Sequence, residues 1–386
     1  MRTFGLVSLA PLAFLPMGVW LASPLAQQPV AQVPPINVVH PIDPGSVVLP
    51  AEDLTVGVTR FSFIAYGDTR GQADGRELQR DHGRIVDAMI EAIRSRASTP
   101  FPVRFIVHSG DAVTSGAAVE QWNVSFTPLI ERLTREGQVP YFVAAGNHDT
   151  TARPLGDPLR QLALRATLAA TSRLNPAEGS PRRLDGYPTF AFGYGNAFVV
   201  ALDSNVAADP LQLAWVAGQL ESIDRARYRH VIAVFHHPPF SSGPHGGPIV
   251  EPQTEAIRRL YLPLFRRHHV RMTITGHDHF YEHWTERYAD GAGEHRFDHL
   301  VTGGGGAPIY TYRGEPDLTD YLATAKPLNL EPEHVVRPGR TEADNPHHFV
   351  VIQVDGDELS LEVIGIGPNP YQPYGTARVD LVDRKS

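Results

Sequence analysis

Apolar residues in this chain gather in short runs, and from Val56 onward those runs alternate with stretches of helical period. The strand-like runs are Phe61–Tyr66, Val103–Val107, Tyr141–Ala145, Val231–Phe235 and Val270–Thr275, all rich in β-branched and aromatic residues. Between them, Gly83 to Ser95, Ala118 to Arg135, Leu211 to Arg225 and Pro252 to His268 space their apolar residues as helices do. Strands alternating with helices predict βαβ units and parallel pairing. Two N-terminal regions break the pattern. Residues 1–26 carry one charge, Arg2, before an apolar run interrupted by Pro11, Pro16 and Pro24. Such a segment reads as a secretory signal, or else as an uncleaved N-terminal anchor, and predicts an exported protein that touches membrane only if uncleaved. Residues 27–55 are proline-rich and predict an extended tether, which leaves 56–386 as one domain.

The five runs end alike. They lead into Gly67-Asp68, Gly110-Asp111, Gly146-Asn147-His148-Asp149, His236-His237-Pro238 and Gly276-His277-Asp278-His279. A Gly-Asp pair alone signals only a turn. Five polar endings at the carboxyl ends of strands predict one convergent site, because ligands of open α/β sheets collect there.

Composition narrows the chemistry of that site. The chain has 386 residues, 42% of them hydrophobic, which is enough for a large core. The absence of cysteine excludes disulfides, thiolate nucleophiles and cysteine-held metals. A net charge of −8 argues against a dedicated nucleic-acid-binding surface. Eleven of the 18 histidines fall between His230 and His299, where two of the strand ends lie. Carboxylates, an amide and imidazoles together suit Mn, Fe or Zn. They outnumber the needs of one ion and point to two ions sharing a carboxylate, an arrangement that clamps a phosphoryl group for in-line attack. No His-Glu-x-x-His occurs, so a zinc peptidase is disfavoured.

These five motifs, in order over about 210 residues, resemble the calcineurin-like metallophosphoesterases, and within them the purple-acid-phosphatase-like branch. The resemblance implies a four-layer α-β-β-α sandwich and hydrolysis of a small or polymeric phosphate ester by a metal-bound hydroxide at a dinuclear centre. It implies that Asp111 bridges two divalent or trivalent ions, with Asp68 and His279 at the first and Asn147, His236 and His277 at the second. By the same resemblance His148 protonates the leaving group or stabilises the transition state. His237 supports the site or touches substrate, and His245, in the loop after the histidine-proline motif, contacts substrate.

Two positions depart from the family pattern. Where the family has Asp-x-His, this chain reads Asp68-Thr69-Arg70, and a guanidinium cannot ligate a metal. Arg70 could instead hold a phosphate oxygen bidentately. The tyrosine that colours purple acid phosphatases is Thr114 here, which predicts a colourless protein; nor can Thr114 be an acidic partner for His148. His82 is a nearby histidine but reads as an ordinary helix residue. The alternative reading is a catalytically degenerate member that binds phosphate or a single metal. Val301 to Ala307 lacks P-loop order and predicts close backbone passage rather than nucleotide binding. Residues 309–345 predict a surface excursion. The 346–386 segment predicts a β-hairpin and tail joining the sheet that holds Thr189–Phe192 and Ala197–Leu202.

Overall fold

The computed structural model describes residues 38–246, 250–366 and 376–380, so the expected signal segment and the first part of the tether lie outside the described residues. In chain order the first half holds β1 (Arg60–Tyr66), α1 (Arg80–Arg96), β2 (Val103–His108), α2 (Thr127–Gly137), β3 (Tyr141–Val143), α3 (Asn147–Thr150) and α4 (Pro158–Thr171). Then come β4 (Arg183–Leu184), β5 (Thr189–Tyr194), β6 (Ala197–Ala201), α5 (Pro210–Ser222), β7 (His230–Val234), α6 (Pro252–Ala256), α7 (Leu262–Arg267) and β8 (Met272–Thr275). The remainder is β9 (Tyr281–Asp290), β10 (Gly293–Thr302), α8 (Thr319–Ala325), β11 (Glu333–Val336), β12 (His347–Asp355), β13 (Glu358–Ile366) and β14 (Thr376–Asp380).

Two sheets result, one ordered β14-β13-β12-β1-β2-β3 and the other β11-β9-β10-β8-β7-β6-β5-β4. Strand β1 shows why they stack. Its residues alternate, with Phe61, Phe63 and Ala65 packing between the sheets and Ile64 and Tyr66 packing under the helices. A strand buried on both faces reads as an unbroken apolar run, which is what the sequence displays. On one side α1 offers Ile85, Val86, Met89, Ile90 and Ile93 at helical spacing. On the other, Val216 and Leu220 of α5 join Leu262 and Phe265 of α7. Helices, two sheets and helices make the mixed α/β sandwich that was expected. Helices α4 and α5 start alike: Pro158 and Pro210 occupy the first turn, and Asp157 and Asp209 accept from the backbone N–H groups two residues on, at 2.9 and 3.2 Å.

Three placements differ from the sequence expectation. The C-terminal hairpin does not join β5 and β6; β12 pairs antiparallel with β1 in the other sheet. It fits there because Val350, Ile352 and Val354 fill the inter-sheet core while Phe349 and Val351 face the α1 layer. The excursion 309–345 contributes to the fold, since β11 extends the second sheet beside β9 and Tyr321 of α8 packs with Trp284. The described part of the expected tether lies against the domain: Ile42 is buried and bonds Ala170, and Glu52 pairs with Arg182 at 2.9 Å. Among the described residues no helix is long and apolar enough to cross a membrane.

Candidate metal centre

The ends of β1, β2, β3, β7 and β8 meet at one edge of the sandwich. Each turn there needs close backbone approach. A Cβ on Gly146 would run into the Asp111 carboxylate, and one on Gly276 into that of Asp68. Asp68, Asp111 and His277 adopt left-handed backbone conformations, with φ of 59°, 59° and 73°. Side chains other than glycine pay for that conformation, of order 1–3 kcal/mol each, and it persists where surrounding structure enforces it. The glycine run after β10 supplies part of the enforcement, since Gly305 N–H and Ala307 N–H donate to the carbonyls of Gly67 and Asp68, both at 2.8 Å. This is the close passage that the glycines predicted.

The polar endings converge. His236 Nε2 lies 3.3 Å from Asp111 Oδ1, 2.9 Å from Asn147 Oδ1 and 3.2 Å from His277 Nδ1. His279 Nε2 lies 3.4 Å from Asp68 Oδ1. Asp68, Asp111 and His236 each direct one donor atom into a space within 4.8 Å, and all three are buried. Among the described residues Asp68 Oδ1 is buried and makes no hydrogen bond. A buried carboxylate oxygen without a hydrogen bond is costly, and a cation is a partner that fits it. Burial opposes charge on Asp68 and Asp111. The histidines beside them outweigh it, chiefly His236 for both, and hold both carboxyls below their ordinary range. Burial likewise opposes charge on His236, but Asp111 and Asp68 push it up to about 9. His277 goes down to about 4 because burial dominates there.

Arg70 reaches this group. Its Nε stands 3.4 Å from Asp111 Oδ2 and its second terminal nitrogen 3.4 Å from His279 Nε2. His148 lies at the rim, its Nε2 3.9 Å from Asp111 Oδ2. Its Nδ1–H donates to the Thr114 carbonyl at 2.7 Å, which leaves Nε2 facing the centre. The orienting group missing at position 114 is thus supplied by that residue's backbone, while its hydroxyl turns to Gly71 and Asp74. His237 is buried and bonds Ser204 Oγ at 2.8 Å, with its ring 4.5 Å from that of His277. Of the two roles expected for His237, burial favours support over substrate contact. His82 does not approach the centre; it is buried between Tyr66 Oη and Gln79 Oε1, at 3.0 and 2.8 Å.

Three contributors went unassigned in the sequence. Glu251 accepts from His277 Nε2 at 2.8 Å and from His245 Nδ1 at 2.9 Å, so one carboxylate positions two of the expected site residues. A carboxylate on the far nitrogen fixes a histidine's tautomer and leaves its other nitrogen free to ligate. Tyr310 stacks on His279 with ring centroids 4.0 Å apart, and the Pro308 carbonyl holds His279 Nδ1 at 2.7 Å. Asp149 is buried and accepts from the N–H groups of Asp111 and Gly146, both at 2.8 Å, and of Ala112 at 2.9 Å. Burial and Asp111 raise its carboxyl to about 7. The position of Asp149 inside the third motif was a signal. Glu251 and Tyr310 stand in no motif.

Comparison with known proteins defines the class. Residues 66–281, more than half of the chain, match the calcineurin-like phosphoesterase family model, and the chain belongs to that family. A purple acid phosphatase from yellow lupin shares the fold with a TM-score of 0.57 and 20% identity, over 80% of this chain. The match covers 52% of the lupin protein, so this chain spans about half of it. Plasmodium GAP50, described as the anchor in the inner membrane complex, superposes with a TM-score of 0.51 and 16% identity, over 83% of this chain and 88% of its own. A dimetal phosphatase from Danio rerio is also similar, with a TM-score of 0.49 and 15% identity, over 84% of this chain and 99% of its own. No curated protein sequence matches the chain.

Proposed function

We propose that this protein hydrolyses phosphate esters at a centre of two metal ions, with Asp111 shared between them. Asp68 and His279 would hold one ion, and Asn147, His236 and His277 the other. The observation that carries the reading is the buried, unbonded Asp68 oxygen beside Asp111 and His236, on turns held in costly left-handed conformations. Metals, when bound, supply positive charge to the phosphoryl oxygens and make water more acidic. The remaining work falls to side chains of this chain. Arg70 is placed to hold a phosphate oxygen. In its imidazolium form, with Nδ1–H kept on the Thr114 carbonyl, His148 would give its Nε2 proton to the departing oxygen and be left as the neutral imidazole. His245, held by Glu251, is a candidate contact to the ester. A cavity of about 800 Å³ lies beside Thr69 and Pro308, with Arg80, Arg84 and His347 on its wall, but none of the proposed donors, Arg70 or His148 lines it.

The test is metal content together with hydrolysis of an aryl phosphate and an aryl phosphodiester in the presence of added Mn, Zn or Fe. Turnover that collapses in Asn147→Ala and His277→Ala supports the enzyme. One observation favours a second reading, a member that binds phosphate or one metal without turnover: Arg70 pairs with the shared carboxylate where the family has a histidine. Fewer than two metals and no turnover on either ester would establish that reading. Export is also part of the proposal, on the composition of residues 1–26; recovery of the protein only in the cytoplasmic fraction would refute it.

A further inference from the structure

A second histidine–carboxylate cluster stands at the opposite ends of the strands that lead into and out of the His277–His279 turn. Helix α7 closes with Val270 N–H donating to the Phe265 carbonyl at 2.9 Å, and His269 takes the left-handed position with φ 49°. Glycine occupies such a position more cheaply. A histidine there sends its ring across to the β9–β10 hairpin, where Nε2 lies 2.7 Å from Asp290 Oδ2. In the hairpin register Asp290 faces Gly293 and Tyr288 faces His295, so Asp290 and His295 are diagonal neighbours on one face. His295 Nε2 lies 2.8 Å from Asp290 Oδ1, and the Ala292 N–H donates to the same oxygen at 2.8 Å and fixes the carboxylate. The two imidazoles stack with centroids 4.1 Å apart and planes 13° from parallel, so both Nε2 atoms address one carboxylate.

We propose that His269, Asp290 and His295 bind one divalent transition-metal cation, zinc by preference, at a site separate from the phosphoesterase centre. Their donor atoms lie within 4.8 Å of one another. Tetrahedral zinc with ligands at about 2.0–2.1 Å sets its donors ~3.3 Å apart, so side-chain rotation has to open the 2.7 and 2.8 Å contacts between the histidines and the carboxylate to admit the ion. Two imidazoles and a carboxylate without thiolate suit zinc and its neighbours rather than calcium or magnesium. The Asp290 side chain is 38% exposed, so an ion has access and a water can complete the shell. Three of the nearby arginines pair with acids, Arg271 and Arg296 with Asp298 at 2.7 and 2.9 Å and Arg229 with Asp357 at 3.6 Å, while Arg225 donates to the Arg229 and His269 carbonyls. An ion here would fasten the end of α7 to the tip of the hairpin.

The test is a zinc count on the full chain after loading and removal of excess metal, comparing wild type with His269→Ala/His295→Ala. The expected result is one zinc fewer per chain in the variant, with aryl phosphate hydrolysis unchanged. Equal counts overturn the site. Should that variant fail to fold, Asp290→Asn carries the same count. A second measurement removes the catalytic centre from view. In an Asp68→Ala/Asp111→Ala/His236→Ala/His277→Ala background, which strips donors from both halves of the proposed centre, zinc should still raise the melting temperature, and adding His269→Ala/His295→Ala should abolish the rise. No rise in the first background, or an undiminished rise in the second, overturns the proposal.

Discussion

The two halves of the proposed metal centre are built differently. The half around Asn147, His236 and His277 has its donors backed from behind: the Ser109 carbonyl holds His236 Nδ1 at 3.1 Å, and Glu251 holds His277 Nε2 at 2.8 Å. The half around Asp68 and His279 backs its histidine with the Pro308 carbonyl at 2.7 Å and a stacked tyrosine, but it has one donor oxygen without a hydrogen bond and Arg70 as a neighbour. Under the proposed two-ion centre the difference lies in charge: the first half shares its space with a guanidinium suited to phosphate, and the second does not.

Substitutions can break or sharpen that contrast. The largest effect is expected from His277→Ala, which removes a donor from the fully backed half and should abolish hydrolysis and lower metal content. Activity that survives with metal content unchanged would remove that half from the centre. His148→Ala should lower kcat by about 10²–10⁴-fold while leaving metal content intact, as loss of a proton donor does. A larger change in metal content than in kcat would recast His148 as a structural residue. Glu251→Gln should weaken metal binding by about 10–100-fold, the usual cost of losing the partner behind a ligating histidine. Isothermal titration reads it, and an unaltered affinity would show that the carboxylate serves only His245.

Arg70→His restores the family spacing and should tighten the first ion by about tenfold, while product phosphate inhibits more weakly. Unchanged phosphate inhibition would remove Arg70 from substrate binding. The smallest effect is a predicted absence: iron-loaded protein should lack an intense visible band, because Thr114 offers no phenolate. A band would name Tyr310 as a ligand, since it is the tyrosine stacked on His279.

What the sequence revealed follows from which contacts are local. Strand ends followed by a glycine and a polar residue are local patterns, so the five clusters could be read directly; the choice of six donors within them came from the resemblance to the family, and those side chains and Arg70 do come together. Thr114 could not be read, because its contribution is a carbonyl, and every residue has one. Glu251 lies 26 positions before His277 and Tyr310 lies 31 after His279, with no motif linking them; tertiary packing alone brings them in. Sheet membership failed for a related reason. Strand β12 is apolar on both faces and suits the interior of either sheet, so alternation could not choose between them. His269 and His295 stand in no motif and read as structural or surface residues, and Asp290 drew no assignment, because no spacing in the chain unites a helix end with a hairpin tip.

The pairing of β12 with β1 also orders events during synthesis. Strand β1, which aims Asp68, lies between β2 and β12, and the β12 partner of Arg60 is Asp355. A growing chain that has released every donor through His279 still lacks the neighbour that covers the open edge of β1. Pairings so distant in sequence form late, because a long loop must close before they bring any gain. The centre is therefore expected to mature only after β12 has emerged, and a chain cut short before β12 would carry all the expected donors yet lack the strand that covers this edge of β1.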